Sequence, residues 1–215
     1  MGFTERMEAL AAEVGGLLLA ASCPGCDRPG TLLCDQCRGA LAPTPLDVWT
    51  PGGRRVRAAL RLEGPVASCV RRLKGEGETL LARPFGVALA AVLAPALMPG
   101  AWAVPVPTSR AAFRRRGYRV PELLVRQAGA VPQSVLTLTR RVADQRELAA
   151  AARAENVRGA MRARRPGRGA RAVLVDDVVT TGATLDEAAR ALAAAGFVVH
   201  GVVALAATPM SAGSG

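Results

Sequence analysis

The stretch from Arg171 to Gly196, RAVLVDDVVTTGATLDEAARALAAAG, decides how the chain is read. Its apolar run, Ala172 to Val175, has the texture of a buried strand and meets two carboxylates, Asp176 and Asp177. A loop of small residues follows, Thr180-Thr181-Gly182-Ala183-Thr184, and then a helical pattern with Leu185, Ala188, Ala189, Leu192 and Ala195 on one face. Asp186 has the spacing to pair with Arg190, and Gly196 suits a C-cap. A second apolar run, Phe197 to Leu205, begins at once, so the order is strand, loop, helix, strand. At the C-terminal end of a parallel strand such a loop gathers backbone N–H groups under a helix N-terminus. Threonine hydroxyls add donors and Gly182 lets the backbone come close. The expectation is an anion site, with phosphate as the anion.

The acid pair narrows the ligand. A carboxylate beside a bound phosphate repels it by about 3–4 kcal/mol per close charge pair at an effective dielectric near 20. The arrangement is tolerable when the ligand also brings hydroxyls or a divalent cation, as a ribose 5-phosphate does. An ordinary βα turn also uses Asp and Thr as caps, but this string is more specific than a lone GxGxxG. It closely resembles the phosphoribosyl pyrophosphate (PRPP) motif of type I phosphoribosyltransferases. The resemblance implies that Asp176 and Asp177 engage the ribose as catalytic residues. It implies likewise that Val178, Val179, Thr180, Thr181, Gly182, Ala183 and Thr184 hold the 5-phosphate.

The 215 residues fit one α/β domain of about 150 residues plus a small appendage. Half the residues are apolar but only seven are aromatic, so alanine and small aliphatics must fill the core. No run of eighteen apolar residues occurs, so no membrane insertion is expected. Glu5, Glu8 and Glu13 precede the short GGLLLAAS stretch, unlike the basic start of a secretory leader, and the expected compartment is the cytoplasm. Of the net charge of +11, most is local: sixteen arginines stand against four acids between Arg110 and Arg171. Such a segment beside a phosphate loop suits a polyanion, a pyrophosphate or a nucleic-acid backbone.

Cys23-Pro24-Gly25-Cys26 and Cys34-Asp35-Gln36-Cys37 are two C-x-x-C pairs seven residues apart. Cys23, Cys26, Cys34 and Cys37 can converge on one ion, and a closed Cys₄ site is structural, with zinc the expected metal. Disulfides, a redox pair or an iron–sulfur cluster are the alternatives; Cys69 reads as a buried residue. Pro43, Pro45, Pro51, Gly52 and Gly53 mark a boundary, dividing the chain into an N-terminal helix and knuckle region (1–50) and an α/β domain (51–215).

Beyond the boundary, residues 56–62 read as a strand, 65–73 and 79–93 as helices, and 101–106 as a buried strand. Lys74, the only lysine, precedes a Gly-rich break and is read as a pyrophosphate or nucleic-acid contact, and no Walker-type G-x-x-x-x-G-K-[ST] occurs. Residues 111–118 read as a loop whose Arg114, Arg115 and Arg116 offer guanidinium forks to pyrophosphate or a phosphate backbone. Phe113 and Tyr118 interleave with them, as base-stacking groups or as core. Pro121 opens a helix to about residue 128, 135–139 is a strand, and Gln145, Arg146, Arg153, Asn156 and Gly159 lie in flap-like text. His200 stands apart from any acid or nucleophile and is not expected to be catalytic.

Taken together, the chain resembles the ComF family of competence and DNA-utilisation proteins over nearly its whole length. The likeness rests on Cys23 to Cys37, Lys74-Gly75, Val104-Pro105-Val106-Pro107, Arg116-Gly117-Tyr118, Gln145, Arg153, Asn156-Val157, Gly159 and the PRPP-type loop. Where that family follows Arg-Gly-aromatic with Asn-Gln, Arg119 and Val120 stand here. The resemblance implies a type I phosphoribosyltransferase-like parallel sheet flanked by helices, with a small N-terminal Cys₄ zinc knuckle. It also implies PRPP, with Mg²⁺, as ligand and a part in DNA uptake. Single-stranded DNA and a competence helicase are the implied partners. The contrasting expectation is an active phosphoribosyltransferase passing the ribosyl group to a base or amine. That chemistry rests on positioning and electrostatics rather than on a protein nucleophile.

Overall fold

The apolar run that ends in the acid pair becomes the interior of a sheet. The computed structural model describes residues 21–139 and 159–208. The expected N-terminal helix, and Gln145, Arg146, Arg153, Asn156 and Val157, lie outside the described residues. In chain order the elements are α1 (Asp35–Ala40), β1 (Leu46–Trp49), β2 (Arg55–Arg61), α2 (Gly64–Gly75), a 3₁₀ turn (Thr79–Leu81) and α3 (Ala82–Ala96). They continue with β3 (Trp102–Pro105), α4 (Arg110–Arg116), α5 (Val120–Gln127), β4 (Leu136–Leu138), β5 (Met161–Ala163), β6 (Arg171–Val179), α6 (Ala183–Ala194) and β7 (Val198–Ala207).

Five strands form one sheet in the order β1-β2-β7-β6-β3, parallel except for the antiparallel β1–β2 hairpin. β4 and β5 make a separate antiparallel ribbon. Side chains alternate across β6. Val173 and Val175 join Leu73 of α2, Phe85 and Leu89 of α3 and Leu124 of α5 in one core cluster. Ala172 and Leu174 join Leu185 and Leu192 of α6 in the other. Both faces are covered, which is why the strand reads as a continuous apolar run rather than an alternating one. The expectation of a parallel α/β sheet flanked by helices therefore holds.

Several local expectations need correction. Residues 43–53 are not only a linker: Leu46–Trp49 pairs with β2 (Val48 opposite Val56), so the hairpin straddles residue 50. Its signal was weak because four residues between prolines carry no periodicity. Residues 111–118 are not a loop but α4. Ser109 caps it by accepting from the Ala112 N–H at 3.2 Å, and Gly117 ends it with φ 80°. The acids are not beyond the strand but inside it, since β6 runs on to Val179. Asp186 does not pair with Arg190. It accepts from Thr50 Oγ1 at 2.7 Å and the Gly52 N–H at 2.8 Å, tying α6 to the β1–β2 turn. Among the described residues, Thr79–Ala96 has the length and mean hydropathy (1.6) of a membrane-crossing helix. Its Phe85, Leu89, Val92 and Leu93 are buried in the core of the fold.

Gly86 marks where α3 meets α5. A Cβ there would lie 2.3 Å from Gln127 Cβ and 2.6 Å from its backbone carbonyl carbon. Gly86→Ala should cost about 1–3 kcal/mol by overpacking, despite alanine's better helix propensity. Urea unfolding should show a lower midpoint at unchanged m.

Candidate functional site

Both carboxylates of the acid pair are buried, each 8% exposed, near the C-terminal end of β6. Asp176 Oδ1 accepts from the Asp177 N–H at 2.8 Å. Burial, reinforced by the neighbouring Asp177 charge, pushes the Asp176 carboxyl up to about 8. Asp177 Oδ1 receives a charged hydrogen bond from Lys74 Nζ at 2.9 Å. Burial pulls the Lys74 ammonium down, but Asp177 and then Asp176 outweigh it and hold its pKa above the ordinary value.

Lys74 is delivered by the last turn of α2, where a cation also suits the helix dipole. Its two neighbours fasten that turn. Arg72 bonds Glu78 at 3.0 Å and Glu76 at 3.3 Å, and pairs with Asp27 of the cysteine segment. The Leu73 carbonyl accepts from the Tyr118 hydroxyl. Three consecutive residues thus join the cysteine segment, the Arg116-Gly117-Tyr118 stretch and the acid pair. Sequence reading missed this junction. Its one visible signal was a single lysine among 27 arginines.

α4 sits at the same end of the sheet, because Val106, just beyond β3, donates to the Val175 carbonyl at 2.9 Å. Arg116 is drawn inward: its Nε–H is buried with no hydrogen-bond partner among the described residues, and its charge acts on Lys74 and Tyr118. Arg114 and Arg115 are exposed. Phe113, 37% exposed, carries the Arg119 guanidinium 4.5 Å from its ring centroid, and the Tyr118 hydroxyl is bonded to α2.

The Thr/Gly bend follows β6. Gly182 takes φ 78°, the left-handed conformation glycine adopts at no cost, and a Cβ there would strike Thr50 at 2.8 Å. Thr180 is exposed and Thr181, Ala183 and Thr184 are half-buried. α6 then anchors the ribbon. Buried Glu187 accepts from the Met161 N–H at 2.9 Å and binds Arg190 at 2.7 and 2.8 Å. A cavity of about 360 Å³ beside α6 is lined by Arg54, Ala183, Asp186, Glu187 and Arg190 among others; the acid pair does not line it. His200 Nε2 lies 3.0 Å from the Ala96 carbonyl oxygen.

The four cysteine sulfurs lie within 4.8 Å of one another, and none is in a disulfide. Cys23–Cys34 and Cys26–Cys34 sulfurs are 3.7 Å apart. A tetrahedron with Zn–S near 2.3 Å requires about 3.8 Å. The set fits a metal such as zinc, whose part would be structural because four thiolates close the coordination shell. Gly25 is required beside it, since a Cβ would meet Cys37 Sγ at 2.6 Å. Cys69, fully buried nearby, has its thiol pushed up to about 11 by burial. Magnesium fits the acid pair poorly: Lys74 holds one carboxylate, and the other is buried with its proton favoured.

A mostly parallel sheet carrying an acid pair near the C-terminal end of β6, between β7 and β3, with a Thr/Gly bend just beyond it, is the arrangement of a phosphoribosyltransferase-type α/β protein. The phosphoribosyl transferase domain model matches residues 86–212, more than half of the chain, and the chain belongs to that family. Among solved structures, orotate phosphoribosyltransferase from Aeropyrum pernix is similar at 17% identity and a TM-score of 0.36, over 80% of this chain and 78% of that one. No curated protein matches the chain in sequence.

Two measurements test this geometry. Purified protein should hold about one zinc per chain, and Cys37→Ser should release it, as read by elemental analysis. The raised Asp176 pKa opposes folding once the carboxyl must ionise. Stability from the protonated form is complete below about pH 4 and is lost as pH climbs toward about 8. Asp176→Asn should therefore unfold at higher temperature than wild type at about pH 8, with little difference at about pH 4.

Proposed function

We propose that the chain is a ComF-like protein that binds PRPP or a related ribose 5-phosphate ligand. The 5-phosphate sits on Thr180 to Thr184 with the Val178–Val179 backbone, and the ribose hydroxyls meet Asp176 and Asp177. Arg116 faces the pyrophosphate, with Arg114 and Arg115 at its outer edge. Mg²⁺, if bound, would be brought by the ligand's phosphates rather than held by the acid pair, and would neutralise pyrophosphate charge there. The observation that carries this reading is the acid pair lying directly before a Thr/Gly bend and helix N-terminus, in a chain of the phosphoribosyl transferase domain family. The buried Nε–H of Arg116, without a hydrogen-bond partner among the described residues, supports an anion beside it. Cys23, Cys26, Cys34 and Cys37 hold structural zinc in the N-terminal unit.

The ComF-like part places the protein in the cytoplasm, in DNA uptake with single-stranded DNA and a helicase as partners. Its support is the combination of the cysteine set, Lys74-Gly75 and Arg116-Gly117-Tyr118 in one chain. Catalysed transfer to a base or amine is the second reading, favoured by the Arg116 Nε–H, which can take up charge on a departing pyrophosphate.

Titration calorimetry with PRPP and Mg²⁺ tests the ligand. Wild type should bind, and the Asp176→Asn/Asp177→Asn double variant should lose at least tenfold in affinity; no heat in wild type overturns the reading. Filter binding of single-stranded DNA should weaken at least tenfold between 50 and 200 mM salt if several arginines contact the backbone.

A further inference from the structure

Lys74 is the only lysine in a chain with 27 arginines, and it stands on Asp177. An ammonium is a compact point charge, whereas a guanidinium is a broad planar fork. The chain's one compact ammonium stands beside the acid pair. The two residues before it fasten the helix turn, Arg72 through its ion pairs and Leu73 through its carbonyl. Its side chain is 32% exposed, so it reaches from solvent into a site where Asp177 is nearly covered.

We propose that Lys74 is a built-in counter-cation that occupies the place of a divalent ion at the acid pair and yields Asp177 to the ligand's hydroxyls on binding. This rests on the ribose 5-phosphate reading for its second half only. Two adjacent carboxylates in a buried setting repel each other and any incoming anion. A divalent ion would relieve both repulsions, but the Lys74 ammonium already sits 2.9 Å from one oxygen. It therefore lowers the site's charge before any ligand arrives and competes with metal for Asp177. When a hydroxyl donates to Asp177, the freed ammonium remains within a side chain's swing of the ligand's anionic groups, alongside Arg116.

The ligand-free test is Mn²⁺ binding to the zinc-loaded protein, read by the electron paramagnetic resonance of free Mn²⁺. Wild type should show no site at the acid pair tighter than millimolar. Lys74→Met should acquire one at least tenfold tighter, Lys74→Gln should do the same, Lys74→Arg should not, and adding Asp177→Asn to Lys74→Met should abolish it. Equal Mn²⁺ affinity in wild type and both neutral variants overturns the proposal. In a second arm, ribose 5-phosphate should bind wild type within about threefold with or without Mg²⁺, whereas Lys74→Met should need Mg²⁺ to recover affinity. Failure of wild type to bind ribose 5-phosphate at all would sink the ligand reading and the proposal's second half. The Mn²⁺ result would still decide the first.

Discussion

Two carboxylates side by side inside a covered strand are costly to bury, and much of the surrounding structure answers to them. Taking an ion out of water is expensive unless it is paired and hydrogen-bonded. One carboxyl of the pair answers by favouring its proton and accepting a backbone N–H; the other takes an ammonium from a helix end. The strand bears this load because its other buried residues, Ala172 to Val175, are apolar and packed on both faces.

The helix end that supplies the ammonium is itself a junction. Arg72 reaches the cysteine segment, the Leu73 carbonyl reaches Tyr118, and Leu73's side chain enters the core. A metal-ready N-terminal unit and an arginine-rich segment are thereby held to the same turn as the acid pair. The exposed Asp27 end of the Arg72 contact adds little energy by itself. The docking is carried by packing, with Gly25 seated against Cys37 and Pro65 and Leu33 against the main core. On the opposite flank, Asp186 and Glu187 at the start of α6 serve two different neighbours, the β1–β2 turn and the β4–β5 ribbon.

Much of the fold was legible from local text. Residues 172–205 announce strand, bend, helix and strand because apolar period and small-residue composition are local signals. The cysteine spacing likewise announces a four-sulfur cluster. Other parts were not legible for physical reasons. Leu46–Trp49 is too short for a periodic pattern, and its strand character comes from the partner it pairs with. Residues 111–118 read as a loop because three consecutive arginines carry no apolar face, yet Ser109 and Gly117 cap a helix over Arg110–Arg116. Asp186 had the right spacing for Arg190, but a neighbour on another element offered a hydroxyl and a backbone N–H at better geometry.

The amino-acid order by itself determined which residues are chemically unusual: two adjacent acids, a Thr/Gly bend, four paired cysteines and one lysine. Spacing along the chain also determined the α/β alternation, since side-chain periodicity is a property of a single segment. Only the tertiary structure decided that the lysine belongs to the acids, 103 positions apart in sequence, and that Arg116 rather than its two neighbours turns inward. Partners so distant are chosen by how helices settle on a sheet, and that choice is made by packing rather than by any local pattern.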